Sequence, residues 1–244
     1  MKPDLGLAYP YQILVFMHIN NSTNPSEFKD IFMSDYDKFV YARDETIEDV
    51  HKWLWIVGDN GAWDGPKLDW INHHRPNILK HVTNFDTVVQ AGGCCGMYPR
   101  LLSSMFTNVY TFEPDPLSFH CLVNNCQLDK IIKINAGLGS HENMLSVKRN
   151  VPSNVGMNTT LIEESSRIPQ LMLDHFDFKS CGLLMLDVEG YEPHIIQGAL
   201  GLIERCRPVI FAENGNEGVL DPIKRFGYTL VAISAADRVY KVTE

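Results

Sequence analysis

Thr87-Val88-Val89-Gln90-Ala91-Gly92-Gly93-Cys94-Cys95-Gly96 decides how this chain is built, together with Val109-Tyr110-Thr111-Phe112-Glu113 just downstream. A β-branched run ends in glycines, a helix-length segment follows, and a second apolar run ends in one glutamate. Glycines let the backbone turn sharply and approach a ligand, and the following helix directs its N-terminus into the same crevice. An acidic residue about 20 positions after such a strand is placed to accept hydrogen bonds from ribose hydroxyls. The spacing from Gln90 to Glu113 fits that requirement. The stretch predicts a cradle for an adenosine-containing ligand.

Working outward, strand and helix patterns alternate regularly from Phe85 onward. Strands are expected at Thr87–Ala91, Val109–Glu113, Ile131–Ala136, Gly182–Asp187, Pro208–Ala212 and Tyr228–Ile233. Helices are expected at Met97–Phe106, Asp115–Leu128, Gly190–Arg205 and Glu217–Phe226, with Asp115-Pro116 as a start signal. Asn143–Arg149 reads as an extra strand, Pro152–Ser166 as a loop, and Ile168–Phe176 as partly helical. Arg238–Val242 closes the chain as an antiparallel hairpin strand. Repeated strand–helix units imply a parallel sheet covered by helices on both faces. An antiparallel last strand belongs to the methyltransferase version of such a sheet rather than the dehydrogenase version.

Residues 1–80 differ in pattern from residues 81–244 and read as an α+β extension or cap. Tyr11–Ile19 and Asp37–Arg43 are expected strands; Ser26–Ser34, Thr46–Leu54 and Pro66–Leu79 are expected helices. The apolar run Ile13–Met17 is too short to cross a membrane and lacks a basic start.

Three groups carry chemistry. The glycine turn has a Gly92-Gly93-x-x-Gly96 register, whereas a nicotinamide dinucleotide wants G-x-G-x-x-G with a middle glycine for its pyrophosphate. Here Ala91 would have to be the first glycine, so a ligand without phosphate, S-adenosylmethionine, suits the turn better. Next, Leu186-Asp187-Val188-Glu189-Gly190-Tyr191-Glu192-Pro193-His194 places Asp187 at a strand end, where open α/β sheets bind ligands. Asp187 or Glu189 could equally cap the following helix. Asp187, Glu189 and His194 are the candidates for a base. Finally, Phe211-Ala212-Glu213-Asn214-Gly215 brings Glu213 and Asn214 to a neighbouring strand end, where oxygen ligands could gather a Mg²⁺ ion.

The totals limit the alternatives. Net charge of −9 speaks against a phosphate backbone as the main partner. Six cysteines without C-x-x-C spacing argue against a zinc ribbon or a secreted disulfide framework and favour a reduced, cytoplasmic setting.

Val88–Gly96, Tyr110-Thr111-Phe112-Glu113-Pro114-Asp115-Pro116 and Leu184–Glu192 resemble the FkbM family of S-adenosylmethionine-dependent methyltransferases, over about Gly61 to Asn214. The resemblance implies a class I methyltransferase fold: a Rossmann-like, seven-stranded, mostly parallel sheet with an antiparallel last strand. It further implies O-methylation of a hydroxyl on a small molecule, sugar or glycan. Carried over residue by residue, Gln90, Ala91, Gly92, Gly93, Gly96, Glu113, Pro114, Asn135, Ala136 and Asp187 would hold the methyl donor, with Asp187 and Glu189 facing the transfer site and no metal ligand assigned. The family usually has Asp at the position of Gln90, and a frequent Asn is replaced by Cys94. Loss of that charge predicts weaker donor affinity. The rival readings are a Mg²⁺-dependent O-methyltransferase, a nicotinamide-dependent reductase and a cofactor-binding module without turnover. Neither a membrane nor a nucleic acid is expected as partner, and a homodimer is compatible with the sequence.

Overall fold

The computed structural model describes residues 40–42, 54–56, 76, 78–148, 159–162, 166–213, 215–234 and 236–243. The expected elements Tyr11–Ile19, Ser26–Ser34 and nearly all of Pro66–Leu79 lie outside these residues. A short antiparallel pair, β1 (Val40–Ala42) with β2 (Leu54–Ile56), is described in the N-terminal part. Leu54 therefore belongs to a strand, not to the end of a helix.

The centre of the molecule is β3 (Thr87–Ala91), buried along its whole length. It pairs in parallel with β4 (Asn108–Phe112) on one side and β10 (Leu183–Leu186) on the other. Beyond these lie β5 (Ile131–Ile134) and β11 (Val209–Glu213), both parallel to their neighbours. The last strand, β13 (Asp237–Val242), runs antiparallel between β11 and β12 (Tyr228–Ser234). The seven-stranded order is β12-β13-β11-β10-β3-β4-β5. This is the class I methyltransferase topology that the sequence predicts.

The continuous apolar runs follow from burial on both faces. Val89, Ala91, Leu184, Leu186, Ile210 and Ala212 point to one side. There they meet α3 (Glu192–Gln197), α4 (Leu200–Cys206) and α5 (Glu217–Lys224) through Ile195, Ile196, Leu202, Ile203, Val219 and Ile223. Their alternates Val88, Leu183, Met185, Val209 and Phe211 point to the other side, against Leu102 of α1 (Met97–Ser103) and Leu122 of α2 (Pro116–Asn125). Each such aliphatic side chain contributes about 1.5–3 kcal/mol by leaving water.

Three expectations need correction. Residues 190–205 do not form one helix: α3 and α4 are separate, with Gly198 and Ala199 between them. A Cβ on Gly198 would lie 1.9 Å from the Gly139 carbonyl oxygen, so the chain passes too close to another backbone for any side chain. Asp174 then starts α4 by accepting the N–H groups of Gly201 (2.9 Å) and Leu202 (2.8 Å). The supposed loop at 152–166 contains β8 (Thr159–Leu161), and the segment read as partly helical is β9 (Ile168–Leu171) followed by a 3-10 turn at Leu173–His175. With β6 (Gly137–Leu138) and β7 (Asn143–Lys148) they make a second sheet in the order β6-β9-β7-β8. That sheet stands over the carboxyl end of the large one.

Candidate active site

The turn after β3 is stitched to both neighbouring strands. Gly92 and Gly93 each donate an N–H to the Phe112 carbonyl at the end of β4, at 3.0 Å, and the Asp187 N–H after β10 donates to Ala91 O at 3.2 Å. Gly92 has φ +86, and a Cβ there would sit 1.8 Å from the Asp187 carbonyl oxygen. Only glycine lets three strand ends meet this closely.

Gln90 lies beneath this turn rather than in it. It is 0% exposed; its side-chain amide donates to Gly92 O (2.7 Å) and Ala91 O (3.2 Å), and its oxygen accepts the Thr111 hydroxyl. Its polar groups brace the backbone from within the sheet. Thr111, which no sequence pattern singled out, completes the brace.

On the β4 side, Glu113 is fixed by two backbone donors. Its Oε2 accepts the Cys94 N–H at 2.7 Å and its Oε1 the Asp115 N–H at 2.7 Å. Asn135 donates its side-chain amide to the carbonyls of Glu113 (2.8 Å) and Pro114 (3.2 Å), locking the end of β4 to the end of β5. Burial pushes the Glu113 carboxyl up to about 8, against the downward pull of the two N–H groups.

On the β10 side, strand register gathers carboxylates. Leu186 is level with Ala212, so Asp187 stands beside Glu213, and Glu213 is itself level with Asp237. Oxygens of Asp187, Glu189 and Glu213 lie within 4.8 Å of one another. Glu213 Oε2 is buried without a hydrogen-bond partner. Burial and the Glu213 carboxylate push Asp187 well above the usual carboxylate range, and the same two causes raise Asp237 to about 7. Glu189 has φ +55 and Gly190 φ +97, a left-handed pair held from inside by Glu192, which accepts the Val188 N–H (3.1 Å) and the Gly190 N–H (3.3 Å).

These parts wall one cavity of about 410 Å³, within the roughly 300–1,000 Å³ usual for small-molecule sites. Of the residues singled out from sequence, Ala91, Gly92, Gly93, Glu113, Pro114, Ala136, Asp187, Glu189 and Glu213 line it. Gln90, Gly96, Asn135 and His194 do not; Gly96 opens α1, and His194 is exposed on α3, its ring packed at 4.4 Å against that of Tyr191. Asn214 and most of 151–160 lie outside the described residues. Cys94, Asp115 and Asp237 join the lining, as do Val147, Thr159 and Thr160 from the small sheet. Asp237 could have been found only from the register of β13. Six carboxylates face the space, with no lysine, arginine or histidine among the described lining residues.

The family described as "Methyltransferase FkbM domain" matches residues 97–230, more than half of the chain. The chain belongs to the FkbM methyltransferase family. Within this FkbM chain the match begins just after the glycine turn and runs into the closing strands, further toward the C-terminus than the motifs alone suggest. Among solved structures it is similar to the methyltransferase FkbM from Methylobacillus flagellatus KT, at 16% identity and a TM-score of 0.46, covering 64% of this chain and 43% of that one. The chain thus spans less than half the length of that structure. A candidate rRNA methylase from Clostridium thermocellum is similar at 15% identity and TM-score 0.44, covering 71% of this chain and 96% of that one. A candidate methyltransferase from Streptococcus mutans in complex with SAH is similar at 8% identity and TM-score 0.42, covering 70% and 94%. No curated protein matches the chain. Family membership rests on the match to residues 97–230, not on these likenesses. No helix among the described residues is long and apolar enough to cross a membrane.

Proposed function

We propose that this FkbM chain binds S-adenosylmethionine and transfers its methyl group to a hydroxyl of a small molecule, sugar or glycan. One observation carries the reading. A single cavity is flanked on the β4 side of β3 by Glu113, and on the β10 side by Asp187, Glu189, Glu213 and Asp237. The residues suit that donor. The close glycine turn leaves room for an adenosine, Glu113 is oriented by two N–H groups toward ribose hydroxyls, and the carboxylates complement a cationic amino-acid part. A dinucleotide would instead bring a pyrophosphate into an acidic cavity with no basic side chain among its described lining residues to pair with it.

Bound S-adenosylmethionine supplies an electrophilic methyl on positive sulfur. The protein's share is positioning and proton removal. Holding donor and acceptor in line accounts for most of the rate, and a base needs only to take the hydroxyl proton. Asp187 suits that step, because burial beside Glu213 raises its affinity for a proton. Glu189, held over the cavity by the left-handed turn, orients the acceptor. His194 faces solvent and has no part.

Isothermal titration with S-adenosylhomocysteine tests the binding half, and no heat with folded protein would sink it. For the transfer half, Asp187→Asn should lower methyl transfer by about 10²–10⁴-fold while binding persists. Undiminished turnover would remove Asp187 from the mechanism. A second reading, Mg²⁺-assisted transfer, is favoured by the spacing of Asp187, Glu189 and Glu213. Activity that survives EDTA would exclude it.

A further inference from the structure

Cys94 and Cys95 are adjacent thiols inside the donor cradle, with their sulfurs 3.9 Å apart and no disulfide between them. Cys94 lines the cavity, is partly exposed and has φ +44, while Cys95 is fully buried. The backbone around them is clamped on both sides. The Cys94 N–H donates to Glu113 Oε2, Asn125 donates its side-chain amide to Cys95 O at 2.7 Å, and the Cys126 thiol donates to Gly96 O at 3.3 Å.

We infer that the Cys94–Cys95 pair is an oxidative modification site that switches the cradle off, by forming a vicinal disulfide that breaks the hydrogen bond between Cys94 and Glu113. This rests on the reading of the cavity as the methyl-donor site. Hydrogen peroxide, or another two-electron peroxide oxidant, reaches the partly exposed Cys94. Its thiolate takes one oxygen to give the sulfenic acid and releases water. The Cys95 sulfur then attacks the Cys94 sulfur; an S–S bond forms, the S–O bond breaks and a second water leaves.

Geometry makes the bond reversible and consequential. Adjacent Cα atoms across a trans peptide are about 3.8 Å apart, below the roughly 4.4–6.8 Å span of ordinary disulfides, so the ring is strained and easily reduced. Closing 3.9 Å to about 2.05 Å requires movement. Cys95 is buried with its carbonyl held by Asn125, so Cys94 moves, and its N–H leaves Glu113. The coupling is reciprocal: a ligand that needs the reduced cradle also protects Cys94 from oxidant. The other buried thiols are poorer targets, since burial pushes Cys126 and Cys181 up to about 12.

The test treats the purified full chain with hydrogen peroxide, with and without S-adenosylhomocysteine, and reads intact mass, peptide map and titration. Loss of two hydrogens mapped to Cys94–Cys95, an affinity for S-adenosylhomocysteine lowered about 5–150-fold and recovery with dithiothreitol are expected. Cys94→Ser should make affinity indifferent to peroxide; Cys95→Ala serves if that variant does not fold. Dimedone capture of a lasting sulfenic acid at Cys94, a disulfide to any other cysteine, or unchanged affinity after oxidation would each overturn the inference. Failure of the reduced protein to bind S-adenosylhomocysteine would instead defeat the donor reading, and the mass and map would still decide the chemistry of the pair.

Discussion

At the scale of single residues, Gln90 shows how a position can be legible as important while its surroundings are not. Its place at the end of β3 marks it from sequence, but a strand end can point into the ligand or under the turn. Only the pairing with Thr111 on β4 decides which. Because the Gln90 amide donates to the carbonyls of Gly92 and Ala91, an aspartate here could not make those bonds. Gln90→Asp, although it installs the residue usual in the family, should therefore destabilise the fold by about 1–3 kcal/mol without raising affinity for S-adenosylhomocysteine. A urea titration together with calorimetry checks both parts. Glu189 makes the opposite case. Its left-handed backbone favours glycine, so Glu189→Gly should keep stability or raise it by up to about 1 kcal/mol, yet slow methyl transfer. Thermal melts and initial rates separate the two effects.

Among elements, the buried strands were readable because a strand covered on both faces must be apolar throughout, as Leu183–Leu186 is. Helix α2 begins at its start signal for a similar reason, since capping is local chemistry: the Asp115 side chain accepts the Leu117 N–H at 3.1 Å. The break between α3 and α4 was not readable. It comes from the Gly139 backbone, nearly 60 positions away, and from Asp174 on a turn that the local pattern does not announce. Of the small sheet, β7 was readable as the extra strand at Asn143–Arg149, whereas β8 and β9 were missed because they are short, partly exposed and mixed in polarity, with only pairing to define them. That sheet is tied to the site through Tyr191, which donates its hydroxyl to Gln170 of β9 at 3.0 Å, while Gln170 donates to His141 O at 2.6 Å. Asp174→Ala removes both acceptors from the start of α4 and should cost about 1–2 kcal/mol, measurable as a shifted urea midpoint at unchanged slope.

For the whole molecule, raised carboxyl groups make stability depend on pH in one direction. Glu113 titrates at about 8 in the fold against an ordinary 4.5, and Asp237 at about 7 against 3.8. The folded state binds more protons than the unfolded state between those limits. The stabilising contribution is thus complete below the ordinary values and lost as pH rises through the folded ones. The ligand-free protein should therefore lose melting temperature from pH 5 to pH 8 and level off above. Glu113→Gln should flatten much of that slope, and a scan across this range checks it.

The order of the large sheet has a consequence for synthesis. Of its seven strands, the one that comes last in chain order, β13, does not add to an edge; it inserts between β11 and β12. Until the ribosome has released residues 237–242, β11 and β12 have no neighbour to pair with on their facing sides, and the carboxylate side of the cavity lacks Asp237. A nascent chain thus carries open strand edges, the kind that recruit other chains, for as long as β13 is unmade. Completion of the sheet and completion of the pocket are one late event.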